Sequence, residues 1–247
     1  MVGGTGVGLG KPNEILEEYK AKYGLELGEV VYLLRNDHAD LRLTYKQYRM
    51  LFGTNKERVD LLNRHGGSFF FNVERQFWNS CLLSLCRMTD PAKQGKKENL
   101  TLFSLEEHIE DKMLSSEVAS LVLQAKKASE FARERRNKRI GHSDFEVRTE
   151  RKKIASTASR NKMKLAIDAA HKPLALIAHR LGDTDLRPTV IDSIPNEISL
   201  LYSLFAADYG EEVLNEKRRK RWMNAKPTDK LIGNYPYPDW LNSKEEL

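Results

Sequence analysis

Apolar residues recur along this chain at steps of three and four, the period of a helix with one face turned inward. The clearest run lies at 68–88, where Phe70, Val73, Phe77, Cys81, Leu85 and Met88 form one stripe. Thr89-Asp90-Pro91 ends it, because proline disfavours the helical conformation in the residue before it. The same period predicts a short helix over 13–23 and a longer one over 27–52, with Val30, Leu33, Leu34, Leu41, Tyr45 and Tyr48 on its apolar side. Asn55 is placed to cap a short helix through residue 62. After a polar loop at 92–99, Ser104 and Glu107 stand at capping-box spacing to open another helix. Ser116 begins the next one, with Val118, Leu121, Val122, Ala125, Ala128 and Phe131 inward. A further helix is predicted over 159–181, striped by Met163, Ile167, Ala170, Leu174, Ile177 and Leu181, kinked by Pro173 and closed by Gly182. Ser193 and Pro195 start a last long helix toward Trp222.

No stretch alternates with period two over a convincing length, so no sheet is expected. The fold class is all-α: a bundle of long antiparallel helices joined mostly by short links, with extra helices at both ends. One helical domain over 13–222 is flanked by a flexible segment at 1–12 and a tail at 223–247 that is rich in proline and aromatics, among them Tyr235, Pro236, Tyr237, Pro238 and Trp240. The glycines at 3–11 invite a phosphate-loop reading that fails on spacing. Thr5 stands where a glycine is required, and Pro12 where a hydroxyl would bind magnesium.

Composition narrows the partners. A formal charge of +6 over 247 residues favours anionic ligands, nucleic acid above all. The two cysteines, Cys81 and Cys86, lie five apart and match neither a metal-binding nor a disulfide pattern, so a reduced, cytoplasmic setting is expected, with no metal and no cofactor. Glu74 and Arg75 interrupt the apolar stretch at 69–85, which excludes a membrane span there, and no signal-peptide pattern opens the chain.

The densest chemistry lies at 133–144: Arg133, Arg135, Arg136, Asn137, Lys138, Arg139, Gly141, His142 and Asp144. Arginine grips phosphate through a planar fork of donors, and histidine exchanges protons near neutrality. Together they suffice to cut a ribose phosphodiester without metal. On an unbroken helix Arg136 and His142 would lie about 240° apart around the axis. A shared pocket needs a break at Gly141, which readily takes the left-handed conformation that ends helices, or a second copy of the chain.

Several stretches together resemble the HEPN superfamily. They are Tyr48-Arg49-Met50-Leu51-Phe52, Phe69-Phe70, Leu85-Cys86-Arg87-Met88-Thr89-Asp90-Pro91, Asn99-Leu100-Thr101-Leu102, and Arg136-Asn137 followed by His142-Ser143-Asp144. In this register they are similar to the abortive-infection U-type branch, over about 27–144 and in general pattern to about 181. The resemblance implies a HEPN-like bundle that forms a homodimer, with two motif copies making a metal-independent RNase site at the interface. It implies a role in phage defence or a toxin–antitoxin system, with an antitoxin or defence-system partner. Carried over, Arg136 and His142 are catalytic and Asn137 orients them. HEPN toxins silenced by nucleotidylation carry a tyrosine where this chain has Asp144, so that control is not expected here.

The residues fit this chemistry on their own terms. His142 would act as general base on the 2′-OH or as general acid on the leaving oxygen, and Arg136 would stabilise charge on the phosphoryl oxygens. Arg135, Lys138 and Arg139 would hold the flanking RNA backbone. Arg87 and Asp90 either form a local ion pair at the helix end or, with Asp144, support the site from behind. Plain helix-dipole chemistry also accounts for Arg133, Arg135 and Arg139. The run Lys217-Arg218-Arg219-Lys220-Arg221 is a solvated helix end or an RNA track. His38, His65 and His108 carry no constellation, and His171 and His179 read as structural or surface residues. Two rival readings remain: a helical RNA-binding or interaction module that does not cut, and a dimeric scaffold in a defence complex.

Overall fold

A computed structural model of the chain describes residues 12–140, 149, 158–182 and 196–224. They are almost wholly helical: α1 (Pro12–Tyr23), α2 (Leu25–Phe52), α3 (Lys56–Thr89), α4 (Lys112–Ala128), α5 (Glu130–Arg135), α6 (Arg160–Gly182) and α7 (Asn196–Asn224). The glycine-rich start, the basic stretch at 148–153 apart from Thr149, Ser193, Pro195 and the aromatic tail lie outside the described residues. By its contacts the chain divides into Met1–Leu201 and Tyr202–Leu247. In the second unit Tyr202, Phe205 and Tyr209 are exposed on α7, as are Lys217, Arg219 and Lys220 of the basic run.

Within the first unit, α1 and α2 fold back on each other at a single residue, Gly24, whose φ of 91° is a conformation that favours glycine. Gly28 lets the two helices touch, because a Cβ there would meet the Tyr19 carbonyl oxygen at 2.4 Å. α2 runs antiparallel to α3, α4 packs along α6, and α6 closes on α2. The core is Val31, Leu34 and Leu41 of α2, Cys81, Leu82 and Leu85 of α3, Val118, Val122 and Ala125 of α4, and Met163, Ile167, Leu174 and Ile177 of α6. Truncating a buried leucine such as Leu34 to alanine costs about 2–5 kcal/mol at such a site.

Several local expectations are corrected. The range Lys56–Thr89 holds the two helices expected, the one capped by Asn55, which accepts from the Arg58 amide at 3.1 Å, and the striped one. They meet at Gly66, where the backbone is not helical, and the first runs a few residues beyond 62. The capping box sits three residues earlier than expected. Thr101 and Ser104 form it, and it opens a 3-10 helix, Leu102–His108. The next helix starts at Lys112, not Ser116, because the Asp111 carboxylate accepts from the amides of Met113 and Leu114. Two short strands, β1 (Lys93–Gln94) and β2 (Lys97–Glu98), pair antiparallel around Gly95 in the loop expected to be free of strands. On the apolar side of α2, Leu34, Leu41, Tyr45 and Tyr48 are buried as expected, but Leu33 is exposed and Val31 is buried in addition.

His38 joins α2 to α6. It is buried, its Nε2 lies 3.1 Å from the Ile167 carbonyl, and its ring stacks on His171. Burial pushes its pKa down to about 4, and the charges of His171 and Arg42 act in the same direction.

Candidate active site

The site begins where α3 ends. Thr89 is fully buried and its hydroxyl donates back to the Leu85 carbonyl at 2.7 Å. Asp90 precedes proline, and its φ and ψ of −72° and 158° are extended. Its carboxylate therefore leaves the helix axis and meets the segment after α4. That segment turns at Ser129, buried, with its hydroxyl bonded to the Ala125 carbonyl at 2.8 Å. The break buries Phe131 and Ala132 of α5.

Arg133 and Arg136, three residues apart, lie on one face of this turn. Arg133 donates through Nε to Asp90 Oδ1 at 3.1 Å, and through Nη2 to the Thr89 carbonyl at 3.0 Å and hydroxyl at 3.1 Å. Arg136 donates through Nη1 to Asp90 Oδ2. One carboxylate thus joins two guanidinium groups, in a clamp whose side chains are only 17–26% exposed. The expected local ion pair between Arg87 and Asp90 gives way to this arrangement, and Arg87 reaches Asp37 on α2 instead, at 3.9 Å.

From Arg136 to Ile140 the backbone winds as a π-helix, wider than the α-helix before it. Such segments recur at functional sites because they turn side chains out of α-helical register. Arg136 Nε donates to Asn137 Oδ1 at 3.0 Å, so Asn137 holds the second edge of the same guanidinium. Among the described residues, Arg136 Nη2 has no partner. Arg133 Nη1 and Arg135 Nε are buried and unbonded there. Burial first, then the charge of Arg139, hold the Arg135 guanidinium below its ordinary range, with Glu134 opposing. Lys138 is tied to Glu134 at 2.7 Å, whereas Arg139 is exposed. Gly141, His142 and Asp144 lie outside the described residues.

From the sequence Arg133 reads as part of the basic helix end and Thr89 as part of a helix stop, and neither as a member of the site. The i, i+3 spacing of Arg133 and Arg136 was the available signal, but their common partner lies more than forty residues away. Behind the clamp, burial pushes the Cys86 thiol up to about 11 against the pull of Arg136 and Arg133, so it stays protonated near neutrality. Among the described residues no group of three His, Cys, Asp or Glu side chains is arranged to hold a metal ion, and no helix is long and apolar enough to cross a membrane.

No curated protein and no solved structure matches the chain. The family model HEPN_AbiU2, described as AbiU2, matches residues 24–202. That match runs from the start of α2 into α7 and includes the clamp and the π-helical turn. The chain therefore belongs to the AbiU2 family of HEPN proteins, a family of the abortive-infection type.

Proposed function

We propose that this protein is a metal-independent endoribonuclease of the HEPN type that acts in the cytoplasm as a homodimer, in phage defence or as a toxin held in check by a partner. In this reading His142 takes the proton of a ribose 2′-OH, the oxygen attacks the adjacent phosphorus, and the 5′-oxygen leaves with a proton returned by a second histidine. The products are a 2′,3′-cyclic phosphate and a 5′-hydroxyl. Arg136 meets the charge on the phosphoryl oxygens, an effect of about 3–4 kcal/mol per positioned donor. Arg135, Lys138 and Arg139 hold flanking phosphates, with Arg87 and Asp144 as supporting residues.

The observation that carries the reading is the fixed guanidinium of Arg136. Asp90 and Asn137 hold two of its edges, and Nη2 is left for a substrate oxygen. A side chain fixed before substrate arrives loses little freedom in the transition state. A second reading is an RNA-binding module that does not cut, for which the exposed Arg139 offers a phosphate contact that needs no histidine.

The test is cleavage of several RNA classes by the purified protein in EDTA, beside a folded His142→Ala variant. The expected result is fragments ending in 2′,3′-cyclic phosphate from the wild type and none from the variant. Salt-sensitive binding without product would move the assignment to the second reading.

A further inference from the structure

Away from the clamp, α2 and α6 enclose a pocket of about 250 Å³. Its charge is one-sided. α2 contributes Arg42, Lys46 and Arg49, at i, i+4 and i+7, and α6 contributes Lys164, against a single lining carboxylate, Asp168. Asp168 is itself shared by Arg42 at 3.3 Å and Lys164 at 2.7 Å, so among the described lining residues four cations stand against one carboxylate. The Arg49 guanidinium is exposed and makes no hydrogen bond or ion pair among the described residues.

The floor is rigid. Tyr45 is buried, stacks on Tyr48 and donates its hydroxyl to the Arg160 carbonyl at 2.7 Å. Arg160 in turn donates to the Gly53 carbonyl at 2.8 Å, tying the start of α6 to the end of α2. The cations are therefore carried by two helices locked in register by hydrogen bonds, on a concave wall. Convergent guanidinium and ammonium donors over a small cavity match a tetrahedral oxyanion with several acceptor oxygens.

We propose that this pocket binds a phosphate group, either of a free nucleotide or of one phosphodiester in an RNA strand. Arg42 and Lys164, fixed by Asp168, form its wall, and Lys46 and Arg49 close on the anion from the open side. The site stands apart from the Arg136 chemistry and does not require that the protein cut RNA.

Titrating the full-length protein with ADP by calorimetry, and with a labelled short RNA by fluorescence anisotropy, tests this in the wild type, Lys46→Glu/Arg49→Glu, Lys164→Glu and Arg136→Ala. Thermal melts check that each variant is folded. Both groove variants are expected to weaken binding by about tenfold or more, and the double variant to reduce the salt slope for RNA by about 1.4. Arg136→Ala should keep the wild-type affinity for ADP. Loss of both ligands in the groove variants identifies a nucleotide pocket, whereas loss of RNA alone identifies a backbone contact. Undiminished binding in folded groove variants, no binding of either ligand by the wild type, or equal affinity for polyglutamate would overturn the proposal.

Discussion

Two carboxylates in this protein each hold two cations, in different surroundings. Asp90 sits at the end of α3, 17% exposed, and its arginines, Arg133 and Arg136, are 20% and 26% exposed. Asp168 sits on α6, 38% exposed, with an arginine as covered as Arg136, Arg42 at 26%, and an open lysine, Lys164 at 61%. The charge pattern is the same, but burial changes its meaning. At Asp90 the neighbours supply further partners, the Thr89 carbonyl and hydroxyl for Arg133 and the Asn137 side chain for Arg136, which fix the two guanidinium groups. At Asp168 water competes for the more open carboxylate and for Lys164, so the group shapes the electrostatics of the pocket more than it holds the fold.

The comparison predicts unequal losses on removing each carboxylate. Asp90→Ala should destabilise the protein by about 3 kcal/mol, the low end for breaking a buried pair, because two arginines are left uncompensated. Asp168→Ala should cost under about 1 kcal/mol. Urea unfolding of both variants checks this, and equal losses would break the distinction.

Acid should expose a second buried contact. Folding depresses the pKa of His38 from 6.5 to about 4, so the unfolded chain binds the proton more tightly. Its contribution is present in full above pH 6.5 and is lost as the pH falls through 4, amounting to at most about 3 kcal/mol. His38→Gln should flatten that part of the stability profile, as unfolding at pH 7 and pH 4.5 would show. An unchanged profile would mean that the imidazole is already charged in the fold.

The smallest effect belongs to the pocket. Asp168→Asn should tighten ADP binding by a few-fold at low salt, because a competing carboxylate is removed without loss of volume, and the gain should fade as salt rises. Calorimetry at two ionic strengths checks it. Weaker binding would mean that Asp168 acts mainly by positioning Arg42 and Lys164.

The helices were legible because their stripes face a common core: Cys81, Leu85 and Met88 of α3, and Met163, Ile167 and Ile177 of α6, are buried as their spacing predicts. In the earlier turns of the α3 stripe Phe70, Val73 and Phe77 are only partly buried, and Phe69 and Phe71 beside it are exposed, since periodicity cannot say which turns of a helix meet a neighbour. The β1–β2 hairpin is too short for a period of two to register. At the site, the Arg136-Asn137 pair is legible through the resemblance to the HEPN motif. The clamp is not, because nothing local to Asp90 distinguishes Arg87, three residues before it, from Arg133 and Arg136, which arrive only through the packing of α5. The pocket between α2 and α6 was illegible for the same reason. Its cations look like ordinary solvated faces until the two helices are brought together.

The most direct test of the central claim is the single-turnover rate of RNA cleavage by Arg136→Ala and Asp90→Asn, at a temperature where melting curves show both variants folded. A guanidinium that stabilises the phosphoryl charge and is aimed by Asp90 predicts a loss of about 10²–10³ for Arg136→Ala, with a smaller but clear loss for Asp90→Asn. Cleavage at the wild-type rate by folded Arg136→Ala would contradict it and leave the clamp as a structural feature alone.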